Sequence, residues 1–240
     1  MEIHKIIHDT LVINFDNDIK HVTSPLIVSL DIPDSIKKIL LKMKGDYNRI
    51  ESIKKNINNK RCKTPLRYAG GKSKAIYKLE NHLPIMYDVE EIHDCFLGGG
   101  SFPLYLTKLY PDKIFRVNDI YKPLYNFWIQ LRDNGQNMST TLLSLKQTHN
   151  SIELAKELFN QQKELITQST TSDLDKGIAF YILNKCSFSG LVSSSFSKQA
   201  SVSNFSENGI KSLPYYSNLI KNWIITNIDY KEFMNTYSNK

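Results

Sequence analysis

The stretch RYAGGKSKAI, residues 67–76, places two glycines and a Lys–Ser pair directly before an apolar, helix-like run. Glycines at the start of a helix allow backbone N–H groups to approach a ligand closely, and a lysine adds a positive charge for an anionic group. This pattern is typical of a cradle for a phosphate or for another part of a nucleotide-like ligand. The spacing of the residues has to decide which ligand is meant.

The spacing disfavours a phosphate-binding P-loop. That loop requires G-x-x-x-x-G-K-[ST], and residues 71–73 supply only its end, because Leu66 stands where the first glycine is needed. The second glycine stretch, FLGGGSF, offers Gly98 and Gly100 for a dinucleotide fingerprint. The third glycine of that fingerprint, which permits tight packing of helix on strand, is replaced by Pro103.

Strands and helices that alternate around these glycines predict a doubly wound α/β fold with a parallel sheet. Residues 91–96 predict a first strand that runs into the glycines, and residues 101–110 predict a helix. Residues 113–119 predict a second strand that ends in Asp119, before a helix over 122–132. A glycine turn after the first strand and an acid after the second suit any adenosine-containing ligand, with or without phosphates.

The rest of the chain supplies further elements. Helices are predicted over 151–167 and 173–185, a Ser-rich loop or loose hairpin over 187–209, and a third strand over 222–230. The amino-terminal part contains strand-like runs at 11–16 and 25–32, a helix with Ile36, Ile39, Leu40 and Met43 on one face, and a second basic helix over 47–58. We place a domain boundary near residue 62, which gives an extension of residues 1–62 and a domain of residues 63–240.

Five segments, taken together, resemble the Dam-type family of DNA adenine-N6 methyltransferases. In order they are PLRYAGGKSKAI, DCFLGGGSF, RVNDIYKPLYNFW, FYILNKCSFSGL and ITNIDYKEF, and they extend across roughly residues 64–238. The resemblance implies a Rossmann-like class I methyltransferase sheet with a helical or hairpin DNA-recognition insertion at about 135–215. It also implies S-adenosylmethionine as cofactor and double-stranded DNA as partner.

The resemblance implies a role for each residue of the cofactor site. Tyr68 packs against the cofactor, Lys72 reaches the carboxylate of its methionine tail, and Asp94 takes the ammonium group. Asp119 holds the ribose, although it could instead cap the helix over 122–132. The complete set of cofactor-binding residues is Tyr68, Lys72, Asp94, Phe96, Gly98, Gly100, Asp119 and Asp229. The resemblance places Asp229 near the adenine ring. Cys95 departs from the family, which usually has proline at this position.

The same resemblance assigns the segment NKCSFSG, residues 184–190, to the start of a DNA-recognition hairpin. It makes Asn184 and Lys185 candidates for DNA contacts and Phe188 a packing anchor, because Asn can read adenine edges and Lys can bind phosphates. In the family this region tends to carry an arginine or two, whereas LVSSSFSKQAS, residues 191–201, has only Lys198, which is the third candidate for a DNA contact.

Dam-type enzymes use a D-P-P-Y tetrad, whose acid and proline carbonyl accept hydrogens from the amino group of a flipped adenine. This chain has no Pro–Pro dipeptide, and neither SLPY at 212–215 nor NDIY at 118–121 is a substitute. We therefore predict no catalytic residue in the chain, and expect that its carboxyl-terminal part is missing and that the sheet edge at 91–96 is open. A second polypeptide could supply the catalytic half, the amino-terminal strands could cover the edge, or the gene product is truncated.

Composition limits the remaining possibilities. The formal charge is +7, and residues 34–63 hold ten Lys/Arg against three Asp/Glu, which suits a polyanion such as nucleic acid. The alternative function is therefore a catalytically inactive DNA-binding module on a Rossmann-like scaffold. Three scattered cysteines predict no metal site, and the absence of a signal peptide or membrane segment predicts an intracellular protein, in the cytoplasm or in a host cell.

Overall fold

The computed structural model describes residues 2–7, 10–15, 18–22, 38, 41–42, 63–80, 82–84, 86 and 89–237. The chain divides into two compact units, Met1–Arg61 and Cys62–Lys240.

The first unit contains a three-stranded antiparallel sheet in the order β1 (Glu2–Ile7), β2 (Thr10–Phe15) and β3 (Asp18–Val22). The predicted strand at 11–16 corresponds to β2, whereas β1 and β3 were not predicted. Positions 38, 41 and 42 are helical, as the amino-terminal pattern indicated. The predicted strand at 25–32 and the second basic helix at 47–58 lie outside the described residues.

The second unit is built on a parallel sheet of β4 (Glu91–Asp94), β5 (Ile114–Asn118) and β6 (Ile224–Thr226), in the order β4-β5-β6. The predicted α/β class with a parallel sheet is confirmed. Successive strands lie side by side, as in one half of a doubly wound sheet. The third strand is shorter than predicted, because Ile228 donates its N–H to the Asn118 side chain at 3.1 Å instead of continuing the ladder.

Helices make up most of this unit. They are α1 (Ile76–Glu80), α2 (Ser101–Leu109), α3 (Lys122–Thr148), α4 (Ile152–Leu165), α5 (Asp173–Cys186), α6 (Lys198–Ser203), α7 (Glu207–Lys211), α8 (Leu213–Leu219) and α9 (Tyr230–Tyr237). Serine side chains cap α4, α5, α6 and α7 by accepting the N–H three residues on, which satisfies a donor that the first turn leaves free.

The third helix is much longer than the predicted 122–132. It bends at Asn134, whose φ is −128°, and then continues to Thr148. The following Gly135 lies against α8, where an added Cβ would come within 2.4 Å of the Ser217 Cβ atom. The helix thus continues past the predicted end at residue 132, and the small size of Gly135 permits close packing of two helices.

The core joins the sheet to the helices through large apolar side chains. Val117 of β5, Leu104 of α2 and Trp128 of α3 are fully buried. Helix α5, which comes between β5 and β6 along the chain, is buried over most of its length and packs against α3 and α4. Within the described residues, the helices are too short or too polar to cross a membrane.

Candidate functional site

The carboxyl ends of the three parallel strands are tied together by Asn118, which is 1% exposed. Its side-chain N–H₂ donates to the Cys95 carbonyl at 3.3 Å and to the Ile228 carbonyl at 2.9 Å. Its Oδ1 accepts the Ile228 N–H and the Thr226 hydroxyl. One buried amide thus fixes the loops after β4 and β6 against the end of β5, where ligands bind in open α/β sheets.

The loop after β4 is a tight turn of glycines. Gly100 donates its N–H to the Leu97 carbonyl at 2.8 Å, and α2 begins at the next residue. Gly98 and Gly100 have φ values of +49° and +67°, in the region that favours glycine. The Gly98 N–H donates to the Asp119 carboxylate at 2.9 Å, so the glycine loop is attached to the residue after β5.

Two aromatic rings hold this loop from different sides. A Cβ on Gly98 would come within 2.9 Å of the Tyr68 ring, and one on Gly100 would come within 2.7 Å of the Trp128 ring. The Trp128 indole also donates to the Gly98 carbonyl at 3.0 Å. The glycines are therefore required by close contact as well as by backbone conformation.

The segment 67–73 lies on the glycine loop. The Lys72 N–H donates to the hydroxyl of Ser101, the first residue of α2, at 3.0 Å. The Lys72 ammonium group is exposed and donates to the Gly70 carbonyl at 2.7 Å. The structure thus places Tyr68 and Lys72 at the glycine loop, while their predicted role in cofactor binding stays a prediction.

Asp119 is 8% exposed, and both carboxylate oxygens accept backbone N–H groups. Oδ2 accepts from Gly98, and Oδ1 accepts from Tyr121 at 3.0 Å. The N-cap position of α3 is Tyr121, so Asp119 is not the cap of that helix. Each carboxylate oxygen has about two acceptor sites, which leaves capacity for ligand hydroxyls.

Asp94 is a second acid in this region. Its carboxylate is partly buried and accepts the Phe96 N–H at 3.0 Å. Burial raises its pKa above the usual range, the hydrogen bond from Phe96 opposes the rise, and the negative charge of Asp119 adds to it. Among the described residues, no cation forms an ion pair with Asp94 or with Asp119.

Exposed apolar side chains surround the strand ends. Phe96 is 68% exposed and lies 5.5 Å from the ring of Tyr230, measured between centroids. Ile120, directly after Asp119, is 65% exposed. Asp229 is also exposed, and its carboxylate accepts the Lys231 N–H at 2.8 Å at the start of α9.

The residues predicted to contact DNA from α5 lie elsewhere. Asn184 is 1% exposed and bonds with the N–H and carbonyl of Arg67 and with the carbonyl of Gly190. Lys185 is 8% exposed and lies over the Tyr181 ring, and burial lowers its pKa to about 8, helped by the charge of Arg67. Both side chains are buried and have partners within the chain, so the structure does not present them on its surface, and their predicted DNA contacts stay predictions.

The segment after α5, residues 187–196, is a loop that is closed at its base and contains a 3-10 turn at Phe188–Gly190; we call it the hairpin. It is closed by an antiparallel bridge between Ser187 and Phe196 and by the bond from the Phe188 N–H to the Ser195 carbonyl at 3.0 Å. Phe188 is 65% exposed, so the prediction of a packing anchor there is wrong. Lys198, at the start of α6, is exposed as a DNA contact would require.

Sequence reasoning missed three residues that shape this region. Asn118 and Trp128 lie inside quoted motifs, next to Asp119 and within the following helix, and could have been found there. Arg67 was read only as part of a motif, yet its guanidinium donates to the Ser187 carbonyl at 2.9 Å and joins segment 67–73 to the hairpin.

The comparison with protein families is decisive for identity. The model of the D12 class N6 adenine-specific DNA methyltransferases matches residues 68–240. The chain belongs to this family. The resemblance to Dam-type enzymes is thereby confirmed, and the family match includes the glycine loop, Asp119 and the hairpin. No curated protein matches the chain.

Membership in the D12 class bears on the residues at the carboxyl ends of β4, β5 and β6. Proteins of this class are DNA methyltransferases specific for the N6 position of adenine. The match begins at Tyr68, the residue that lies on the glycine loop. In the described part of the chain, no cluster of three or more His, Cys, Asp or Glu residues could hold a metal ion.

Proposed function

We propose that the second unit binds S-adenosylmethionine at the carboxyl ends of β4 and β5 and acts with duplex DNA in adenine-N6 methylation. The observation that carries this proposal is the pair of carboxylates, Asp94 and Asp119, beside the glycine loop. Neither has a cationic partner among the described residues. A ligand that carries positive charge and ribose hydroxyls would satisfy both.

Charge favours this cofactor over other adenosine ligands. S-adenosylmethionine carries a sulfonium and an ammonium group, whereas ATP and NAD carry phosphates that two nearby carboxylates repel. The ammonium group would pair with Asp94, and the ribose hydroxyls would donate to Asp119. The exposed Lys72 is suited to the cofactor's carboxylate.

The remaining residues of the site fit an adenosine with an apolar face. Gly98 and Gly100 let the rings of Tyr68 and Trp128 pack closely on the loop backbone, and the half-exposed Tyr68 ring offers an apolar face to a ligand. Phe96 supplies an exposed ring near Tyr230. We assign Asp229, in the loop after β6, to the adenine side of the cofactor on the strength of the family resemblance.

Methyl transfer needs groups that accept hydrogens from the adenine amino group. The D-P-P-Y tetrad that serves this purpose in Dam-type enzymes does not occur in the 240 residues. We therefore assign cofactor binding and DNA contact, through Lys198, to this chain. We assign none of the 240 residues to the methyl-transfer step itself.

Calorimetric titration of the purified chain with S-adenosylmethionine, NAD and ATP tests the proposal. We expect saturable binding heat with S-adenosylmethionine and none with NAD or ATP. Binding of NAD or ATP without binding of S-adenosylmethionine would contradict it and favour a nucleotide-utilising enzyme. Binding of DNA with none of the three would favour the alternative of a DNA-binding module.

A further inference from the structure

A cavity of about 560 Å³ lies between α4 and the end of the hairpin. None of its lining residues belongs to the proposed cofactor site at the carboxyl ends of the strands. Three of its lining side chains are lysines, and two are phenylalanines. The lining residues are Ile152, Lys156, Phe159, Asn160, Lys163, Ser195, Phe196 and Lys198. We call this cavity the lysine cavity.

The lysine cavity is positively charged. Lys156, Lys163 and Lys198 are exposed, and among the described residues none of them takes part in an ion pair. The acids of α4 are Glu153, Glu157 and Glu164, and none of them lines the cavity. The three ammonium groups are therefore available to an anionic ligand.

The shape of the cavity suits an extended anion with apolar parts. Lys156 and Lys163 are two helical turns apart on one face of α4, roughly 10 Å along its axis. The rings of Phe159 and Phe196 meet edge to face between the helix and the hairpin, with centroids 5.6 Å apart. Phe159 is 2% exposed and supports Phe196, which is partly exposed. A nucleic-acid backbone presents phosphates for the lysines and sugars for the Phe196 ring.

The position of the cavity connects it to the hairpin. Ser195 and Phe196 are the last hairpin residues, and Phe196 pairs with Ser187 at its base. The hairpin contains no Lys or Arg between Ser187 and Ser197, so it cannot neutralise phosphates by itself. The lysine cavity supplies positive charge directly beside it.

We propose that the lysine cavity binds backbone phosphates of duplex DNA and thereby positions the hairpin on the duplex. This inference rests on the proposed function, because it takes DNA as the partner. It adds Lys156, Lys163 and the α4 face to the DNA contacts, none of which the motifs indicated. Phosphate contacts set the register of a protein on DNA and are independent of base sequence.

The salt dependence of DNA binding tests this inference. Binding of a fluorescent duplex is measured by anisotropy over a range of KCl concentrations for the wild type, K156Q, K163Q, K198Q and the triple variant. Each lost phosphate contact lowers the slope of log K against log [salt] by about 0.9. We expect about that change for each single variant and about 2.7 for the triple variant, equally on unrelated duplex sequences.

The exposed Lys221, outside the cavity lining, is the matched control. We expect K221Q to keep the wild-type slope. We also expect the slope to stay at the wild-type value when the three cavity lysines are replaced by arginine, which keeps the positive charge. Slopes of K156Q and K163Q equal to that of K221Q would overturn this inference, and a lower slope in K198Q alone would leave the proposed DNA contact through Lys198 standing. A wild-type chain that binds no duplex at all would overturn both.

Discussion

The backbone N–H of Gly98 donates to the carboxylate of Asp119 at 2.9 Å, so the loop after β4 is held by the residue after β5. Trp128 donates to the carbonyl of the same glycine, and Tyr68 lies against it. The shape of the glycine loop therefore depends on contacts from three separate segments of the chain. Changes in any of them should affect the loop and its ligand together.

Gly100→Ala should lower the free energy of unfolding strongly. A side chain at a φ of +67° costs about 1–2 kcal/mol, and overlap of the new methyl group with the Trp128 ring costs about 1–3 kcal/mol more. Urea unfolding measures the sum. Gly70→Ala is the control, because Gly70 has a φ of +78° but no atom within 4 Å of an added Cβ. Equal losses in the two variants would show that Trp128 does not confine the loop.

Asp94→Asn should stabilise the chain at neutral pH while it weakens binding of S-adenosylmethionine. The pKa of Asp94 is raised above its ordinary value of 3.8, so the folded chain binds this proton more tightly than the unfolded chain does. Wild-type stability should therefore fall, relative to the Asn variant, as pH rises from 3.8 through the raised pKa. Asparagine keeps an oxygen for the Phe96 N–H and removes the charge.

Urea unfolding of both proteins at several pH values measures the stability difference, and calorimetry measures the affinity. We expect cofactor affinity to fall about 10- to 100-fold, as for a lost charged hydrogen bond. The quantity to compare is the difference in unfolding free energy between the Asn variant and the wild type. If this difference is no larger at neutral pH than at pH 4, the charge of Asp94 is not disfavoured in the folded chain.

Asn184→Ala should destabilise the chain by at least about 3 kcal/mol. The change leaves the Arg67 N–H, the Arg67 carbonyl and the Gly190 carbonyl without their partner, and an unsatisfied buried group costs about 1–3 kcal/mol. Asn126→Ala, which loses one exposed bond to the Asp173 carbonyl, is the control. Lost DNA affinity at unchanged stability would support Asn184 as a DNA contact.

Local patterns predicted the elements next to the glycines well. The strand at β4, the helix α2 and the strand β5 follow from apolar runs, turn residues and an acid that succeed each other within about 30 residues. Gly98 and Asp119 come together because the carboxyl ends of adjacent parallel strands share one edge of a sheet, and Tyr68 reaches Gly98 from the segment before α1.

Burial in the helical region could not be predicted in the same way. Asn184 and Lys185 are polar residues at the end of α5, and such residues are mostly exposed. Here α5 lies among α3, α4, α6 and the hairpin, so even its polar side chains point into protein. The lysine cavity was missed for a related reason, because Lys198 reaches α4 only through the packing of α6 on that helix.

The most direct test of the account is calorimetric titration of S-adenosylmethionine into the wild type and into Asp119→Asn. Each variant is first shown to be folded by circular dichroism, with Asp112→Asn, an exposed acid outside the site, as control. We predict saturable binding for the wild type and Asp112→Asn, and affinity at least about 10-fold weaker for Asp119→Asn. Equal affinity in all three folded proteins would contradict the assignment of the ribose to Asp119 and, with it, the cofactor site.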